Sequence, residues 1–215
     1  MLGGSTVTNT GATVVTGDLG VWPGTAITGF PPGIVNGTIH ASDAVAQQAQ
    51  SDVTTAYNTL AGMAPTQDLS GTDLGGLTLQ PGVYFFSSSA MLTGTLTLDA
   101  MGDPDALFVF QVSSALTSAS SSSVVMINSI DACDVYWQVG SSATLGTDSA
   151  FQGNILALTS ITLNTGASLI EGRALARNGA VTMDNNIITA SCIPAPGASI
   201  LLGTVFVGAL ARRRR

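Results

Sequence analysis

The sequence contains no lysine and only six basic residues, four of which form the run Arg212 to Arg215. The remainder carries two arginines, Arg173 and Arg177, against thirteen acidic residues. Because such an acidic surface repels phosphate, we expect no binding to nucleic acid. Charged residues of all kinds make up only 9% of the chain, so serine and threonine hydroxyls must supply most of its polar surface.

Residues that carry catalysis or bind metals are also scarce. His40 is the only histidine, and we expect it to be a polar residue of a connection and not a metal ligand. The stretch Asp103-Pro104-Asp105 is more typical of a turn than of a calcium site. The sequence contains no nucleophile beside a base and no phosphate-binding loop. We therefore predict that the protein is not an enzyme and uses no metal or cofactor.

Cysteine is limited to Cys133 and Cys192. They allow one disulfide in an oxidising compartment or two buried thiols, and the sequence leaves both alternatives open. A secretory signal is also missing, because Met1-Leu2-Gly3-Gly4 runs directly into strand-like sequence. Either the start of the chain is truncated, or the export inferred below is wrong.

Glycine and proline are absent between Ser42 and Ala61, although both punctuate the rest of the chain. Ser42 or Asp43 can cap this segment and Gly62 can end it. Apolar side chains recur at helical spacing on one face: Ala46, Ala49, Val53, Ala56, Tyr57 and Leu60. The pattern predicts one amphipathic helix over about residues 42–61, roughly 30 Å long.

After Asp68 the sequence is periodic, and five units of three short strands align between residues 76 and 190. Three strands per unit predict an all-β, three-sided β-solenoid whose coils stack at about 4.8 Å, or roughly 24 Å for five coils. The second strand of each unit, such as Phe108-Val109-Phe110, is apolar on both faces. We expect the helix to cover these strands.

The N-terminal region shows the same pattern once more. Residues 5–21 are predicted to form one coil, whereas the Pro- and Gly-rich residues 22–39 are predicted to be an irregular surface segment. Asn9-Thr10-Gly11-Ala12 recurs as Asn164-Thr165-Gly166-Ala167. We interpret this as a repeat split by a long insertion, and predict that residues 160–172 stack directly on residues 5–17.

The third strand of each unit is predicted to present small residues outward, around an inward row of Leu92, Leu116, Leu145, Leu163 and Met183. Hydroxyl and methyl groups repeating at about 4.8 Å can order water in a pattern close to that of ice, and rigid strands lose little entropy on adsorption. Threonine is also a good outward strand residue in any sheet. The candidate site residues are Thr93, Ala115, Thr117, Thr144, Thr147, Thr162, Asn164, Thr165 and Thr182.

The first strands form a second hydroxyl-bearing face, with Thr78, Thr95, Thr97 and Ser168. Either face can be the one that meets ice. We favour the third strands because their outward row is flatter and lacks Val125, Gln152 and Ile170.

Several motifs resemble those of a known family: Ser5-Thr6-Val7-Thr8-Asn9-Thr10-Gly11, Asp73-Leu74-Gly75-Gly76-Leu77-Thr78-Leu79-Gln80-Pro81-Gly82-Val83-Tyr84, Trp137-Gln138-Val139-Gly140 and Arg173-Ala174-Leu175-Ala176-Arg177-Asn178-Gly179. Over nearly all of residues 3–190 the chain is similar to the microbial ice-binding proteins with a discontinuous β-solenoid. The resemblance implies a right-handed three-sided solenoid with a flanking helix, adsorption to ice through one flat face, and no catalysis. It also implies a Thr-(Ala/Gly)-X-(Thr/Asn) pattern, which Thr10-Gly11-Ala12-Thr13 matches.

We predict an ice-binding domain over residues 1–193 and a C-terminal tail over residues 194–215. The tail has fourteen mostly apolar residues, 198–211, followed by four arginines, which is short of an ordinary membrane span of about 20. It resembles the Pro-Glu-Pro class of sorting tails, with Ala195 in place of the usual glutamate. The alternative is an apolar tail without this function.

Together these features predict an exported monomer whose partners are the ice surface and ordered water, with membrane contact only through the tail. The rival hypothesis is a surface adhesin or matrix protein of the same fold that binds carbohydrate or the cell envelope.

Overall fold

Short parallel strands, joined by corners rich in glycine, serine and asparagine, make up most of the fold. The computed structural model describes residues 1–128 and 132–190. In chain order its elements are β1 (Leu2–Gly3), β2 (Thr6–Thr10), β3 (Val14–Thr16), β4 (Leu19–Val21), β5 (Ala26–Thr28), β6 (Ile34–Asn36), β7 (Ile39–Ala41), α1 (Ala44–Ala61), β8 (Gln67–Asp68), β9 (Thr78–Leu79), β10 (Gly82–Phe86), β11 (Ala90–Leu92), β12 (Thr95–Asp99), β13 (Phe108–Val112), β14 (Leu116–Ser118), β15 (Ser123–Ile127), β16 (Val135–Val139), β17 (Ala143–Leu145), β18 (Ala150–Gln152), β19 (Asn154–Ala157), β20 (Ile161–Leu163), β21 (Ser168–Ile170), β22 (Ala174–Ala176), β23 (Val181–Asp184) and β24 (Ile187–Thr189).

The strands form three parallel sheets, which are the three sides of the solenoid. The helix-covered sheet has the order β7-β4-β1-β22-β19-β16-β13-β10-β8. The threonine sheet has the order β11-β14-β17-β20-β23-β2-β5, and the mixed sheet has the order β6-β3-β24-β21-β18-β15-β12-β9. The predicted three-sided β-solenoid with one helix is therefore confirmed.

The helix α1 begins and ends where the sequence predicts. The Asp43 carboxylate accepts a hydrogen bond of 2.8 Å from the Ala46 N–H as the N-cap, and the Gly62 N–H donates to the Asn58 carbonyl. The buried residues of α1 are Ala46, Gln50, Val53, Tyr57 and Leu60. This stripe packs on outward apolar residues of the helix-covered sheet, among them Val109 and Leu156. The predicted cover of the second strands is thus confirmed.

Two glutamine side chains fasten α1 to the sheet. The Gln50 amide donates to the carbonyls of Ala176 and Arg177 at 3.0 and 2.6 Å. The Gln111 amide donates to the carbonyls of Leu60 and Met63 at 2.7 and 2.8 Å, where the helix ends. The Gln111 bonds add side-chain donors to carbonyls at the end of the helix, where intrahelical donors run out. The sequence pattern had not indicated that glutamines would hold the helix.

The core between the sheets contains a column of stacked rings. Tyr84, Phe110 and Trp137 occupy one register position in β10, β13 and β16. The ring centroids of Phe110 and Trp137 lie 3.9 Å apart and those of Tyr84 and Phe110 lie 5.3 Å apart. Such stacking adds to the free energy of burial and fixes the register of neighbouring coils.

The N-terminal coils complete the stack beyond the last C-terminal coil, as the helix length predicts. β2 pairs with β23 and β3 pairs with β24. The prediction that residues 160–172 stack directly on residues 5–17 is wrong, because β23 and β24 lie between them. The two similar stretches occupy the same position in different coils. The strand Val181–Asp184, which lies between them, occupies that position with a different sequence.

The prediction for the first 40 residues is also wrong in part. Residues 5–21, predicted to form one coil, contain β2, β3 and β4. The first coil consists of β1, β2 and β3, and β4 opens the next coil. Residues 22–39, predicted to be irregular, contain β5 and β6 and the corners that join them to β4 and β7. These strands have only three residues each, so the prolines and glycines of the corners dominate the local pattern.

Cys133 is disulfide-bonded. This outcome decides between the two alternatives for this cysteine, while its expected partner Cys192 lies outside the described residues. The predicted boundary at residues 193 and 194 and the whole of the tail also lie outside them. Among the helices of the described residues, none has the length and apolar character needed to cross a membrane.

Candidate functional site

A straight row of threonines runs across the threonine sheet. In sheet order its members are Thr117, Thr144, Thr162, Thr182, Thr8 and Thr28, which are paired in register from one strand to the next. We call this set the threonine row. Met91 occupies the same position on the edge strand β11. At a strand spacing of about 4.8 Å, the six threonines extend over roughly 24 Å.

Alternation along each strand places the threonine row outside the core. The residues before and after Thr162, Ile161 and Leu163, are buried, and the same holds for Val181 and Met183 around Thr182. Because successive strand residues point to opposite faces, burial of these neighbours directs each threonine to solvent. Each threonine is half-buried or exposed. β-branching restricts χ1, so the hydroxyl and methyl groups are held with little rotational freedom.

Thr8 and Thr28, which were not among the predicted site residues, extend the row on the N-terminal coils. A signal for them exists, since every member of the row ends a triplet of small residue, aliphatic residue and threonine. The triplets are Ala115-Leu116-Thr117, Ser142-Ala143-Thr144, Ser160-Ile161-Thr162, Ala180-Val181-Thr182, Thr6-Val7-Thr8 and Ala26-Ile27-Thr28. The alignment of these triplets also corrects the predicted inward row. Leu92 pairs with Ser118 and not with Leu116, and Leu116 pairs with Ala143 and not with Leu145.

The nine predicted site residues fall into three groups. Thr117, Thr144, Thr162 and Thr182 belong to the threonine row. Ala115 and Asn164 lie beside the row, directly before β14 and directly after β20. Thr93, Thr147 and Thr165 lie at the corners that follow β11, β17 and β20. The structure therefore brings four of the predicted residues into one line and places the others at its margins.

Two of the corner threonines bind carboxylates. The Thr165 hydroxyl donates to the Asp184 carboxylate, and the Thr93 hydroxyl donates to the Asp73 carboxylate. Burial raises the pKa of Asp73, whereas hydrogen bonds from Thr93 and from the Gly75 backbone lower it, and the net shift is downward. Each hydroxyl proton is committed to a carboxylate, so these two threonines stabilise the corners beside the row.

The outward surface of the threonine sheet is almost free of charge. Within its described strands, Asp184 is the one ionisable outward residue, and Thr165 already binds it. The flanking outward positions hold small residues such as Ser142, Ser160 and Ala180. A surface of this kind is flat, and its polar groups are hydroxyls at a regular spacing.

The mixed sheet is less even. One outward row passes from Thr95 and Ser123 through Ala150 and Ser168 to large aliphatic residues, with Ile187 56% and Ile34 55% exposed. The next row includes Val125, Gln152 and Ile170. Side chains of such different length cannot form a plane. The geometry therefore favours the threonine sheet over the alternative face with Thr78 and Thr97.

Within the described residues, no three His, Cys, Asp or Glu side chains lie close enough to hold a metal ion. His40 contributes its Nδ1 atom to a contact of 2.7 Å with the Asp43 carboxylate at the start of α1. The pKa of Asp43 is lowered, chiefly by the hydrogen bond from the Ala46 N–H and next by the contact with His40. His40 therefore supports the helix cap.

The fold and the threonine row define a class of protein, a three-sided β-solenoid with one helix-covered side and one flat, uncharged hydroxyl face. The chain belongs to the Ice-binding-like family, whose model matches residues 1–189.

Comparison with individual proteins gives the same result. The chain is 60% identical over 220 residues to an ice-binding protein of Nostoc sp. (strain HG1), covering 98% of this chain and 81% of the relative. The crystal structure of an ice-binding protein from an Antarctic biological consortium is similar, with 53% identity and a TM-score of 0.84 over 87% of this chain and 86% of that chain. An ice-binding protein from the Antarctic ascomycete Antarctomyces psychrotrophicus has 42% identity and a TM-score of 0.85, covering 89% and 94% of the two chains.

Proposed function

We propose that this protein binds ice by adsorption through the threonine sheet, and thereby inhibits ice growth or recrystallisation. The observation that carries the proposal is the threonine row, six threonines in register on neighbouring strands. Family membership and the named relatives support it.

The mechanism needs no bond-making chemistry. Each threonine offers a hydroxyl that exchanges hydrogen bonds with water and a methyl group that limits where that water can sit. Since the strands and the χ1 angles are fixed before contact, little conformational entropy is lost when ordered water on the row joins the ice lattice. Hydrogen bonds between the face and ice replace equally good bonds to liquid water, so shape and rigidity, more than bond count, stabilise the bound state.

Partition into ice tests the proposal directly. Purified protein is held in solution around a slowly growing ice hemisphere, and its concentration in the ice is compared with that of a co-dissolved protein that has no ice affinity. We expect enrichment in the ice. Exclusion to the level of the reference protein would contradict the proposal and favour the rival adhesin or matrix function.

We further propose that the protein is exported and acts as a monomer. The disulfide-bonded state of Cys133 supports an oxidising compartment. Residues 194–215 are proposed to be a sorting tail, on the strength of their apolar stretch and terminal arginines. Cell fractionation with mass spectrometry of the mature chain tests this, since loss of the tail from an extracellular product is expected. Light scattering tests the monomer.

A further inference from the structure

The chain contains two Asn-Gly pairs, Asn36-Gly37 and Asn178-Gly179, in very different surroundings. We propose that Asn36 is a site of non-enzymatic deamidation, at which water converts the asparagine into aspartate and isoaspartate, while the fold protects Asn178. The reaction modifies the chain itself and is separate from ice adsorption.

The chemistry requires only the chain and water. The backbone nitrogen of Gly37 attacks the side-chain Cγ of Asn36, a C–N bond forms, and the side-chain amide leaves as ammonia with the proton that the backbone nitrogen loses. The product is a cyclic succinimide. Water then opens one of its two imide C–N bonds, which gives aspartate if the side-chain carbonyl is released and isoaspartate if the backbone carbonyl is released.

Asn36 lies at an open edge of the solenoid. It ends β6, the edge strand of the mixed sheet, and both Asn36 and Gly37 are exposed. The Gly37 N–H, whose nitrogen is the nucleophile, has no hydrogen-bond acceptor among the described residues. The attacking group is thus free of the bonds that would hold it away from the side chain.

Asn178 is exposed as well, but its backbone and that of Gly179 are held between neighbouring coils. The Gly179 N–H donates to the Thr159 carbonyl at 3.0 Å, and the Asn178 N–H donates to the Leu158 carbonyl at 3.2 Å. On the other side, the Gly179 carbonyl accepts from the Gly4 N–H at 2.9 Å. Because coils bind this pair from both sides, the succinimide can form there only after the coils separate locally.

The fold itself requires the reactive glycine. A Cβ atom at residue 37 would lie 2.4 Å from the Gly17 carbonyl oxygen, so a larger residue does not fit. The same hypothetical Cβ lies 2.9 Å from the Asp18 carboxylate, which accepts from the Thr38 N–H at 2.8 Å. The Asp18 carboxylate therefore lies beside the glycine whose nitrogen attacks Asn36.

The experiment compares the two pairs within one molecule. The full chain is incubated in warm, mildly alkaline buffer, and samples are digested and mapped by mass spectrometry, with isoaspartate detected by its methyltransferase. We expect Asn36 to convert about tenfold faster than Asn178 in the folded protein, because local opening limits the latter. In denaturant the two pairs should convert at rates much closer to each other, since both are Asn-Gly and the fold no longer separates them.

Two matched variants complete the design. Asn36→Gln should abolish the fast phase, and Asn178→Gln should leave it unchanged. Equal rates at the two sites in the folded protein, faster conversion at Asn178, or stability of Asn36 in a chain that deamidates once denatured would each overturn the proposal. Because the readout is the mass of defined peptides, the result is independent of whether the protein binds ice.

Discussion

The hydroxyl of Thr8 donates a hydrogen bond of 3.4 Å to the hydroxyl of Thr182, although 174 positions separate the two residues in the chain. This contact lies where the N-terminal coils join the C-terminal coils. The proposed ice-binding face therefore crosses the junction without interruption, and its regular spacing depends on parts of the chain that are distant in sequence.

Replacement of a central threonine tests which face meets ice. Thr162→Tyr places a ring above the plane of the threonine sheet, and should lower thermal hysteresis by about half or more, since central contact residues carry a large share of a binding free energy. Circular dichroism should be unchanged. Thr97→Tyr on the mixed sheet is the matched control and should retain full activity. The reverse result would transfer the site to the mixed sheet.

Thr8→Tyr tests whether the N-terminal coils belong to the face. We expect a loss similar to that of Thr162→Tyr, because Thr8 occupies an interior position of the row, and a smaller loss for Thr28→Tyr on the edge strand. Thr16→Tyr, in the same coil but on the mixed sheet, provides the comparison. Full activity of the Thr8 variant would limit the face to the C-terminal coils. The measurement is thermal hysteresis at matched protein concentrations.

Gln111→Leu tests how the helix is held. The substitution removes the donor to the Leu60 and Met63 carbonyls, which should lower the free energy of unfolding by about 1–3 kcal/mol. In a chain of this size each kcal/mol lowers Tm by about 2–4 °C. Ice partition of the folded protein should not change, because Gln111 lies on the helix-covered sheet. Gln47→Leu, on the exposed side of α1, should leave Tm nearly unchanged; an equal fall in both variants would argue against the assigned contacts.

Acid should destabilise the fold without altering the face. The pKa values of Asp43, Asp68, Asp73 and Asp99 are lowered in the folded chain. Each carboxylate therefore contributes stability that is complete above the unfolded pKa of about 3.9 and is lost as the pH falls through the lower folded value. We therefore expect Tm to decrease when the pH is lowered below about 4.

The Asp43→Asn variant separates the helix cap from the other carboxylates. Asparagine is also a good N-cap residue, so the variant should fold at neutral pH. Its Tm should decline less steeply with acid than that of the unaltered chain. An identical decline would show that the Asp43 carboxylate does not contribute to the acid sensitivity. Ice partition above about pH 5, where all four carboxylates are ionised, should be independent of pH.

Periodicity predicted the fold well where the strands are long enough to show it. β13 and β16, with five residues each, reveal their apolar pattern directly, and the helix follows from its caps and its stripe. β5 and β6 were not predicted, because strands of three residues between proline-containing corners are too short to show an alternation of apolar and polar residues.

The candidate site was predicted only in part for a different reason. Sequence alternation identifies which side chains point outward, but not which coils are neighbours. The placement of Thr8 beside Thr182 depends on the pairing of β2 with β23, a contact between distant parts of the chain. The hydrogen bonds of Thr93 and Thr165 to carboxylates likewise depend on corners that no local pattern specifies.

The pairing of β1, β2 and β3 with β22, β23 and β24 also has a consequence for biosynthesis. During translation the first coils, which pair with each other through β1 with β4, β2 with β5 and β3 with β6, leave the ribosome long before the C-terminal strands on which they also stack exist. Their junction with β22, β23 and β24 can form only once residues 174–189 have been made. Contacts of such high sequence separation slow folding. The first forty residues must therefore remain soluble while one side of their stack is still open. Their almost uncharged, hydroxyl-rich composition has to meet that demand as well as the demands of the finished face.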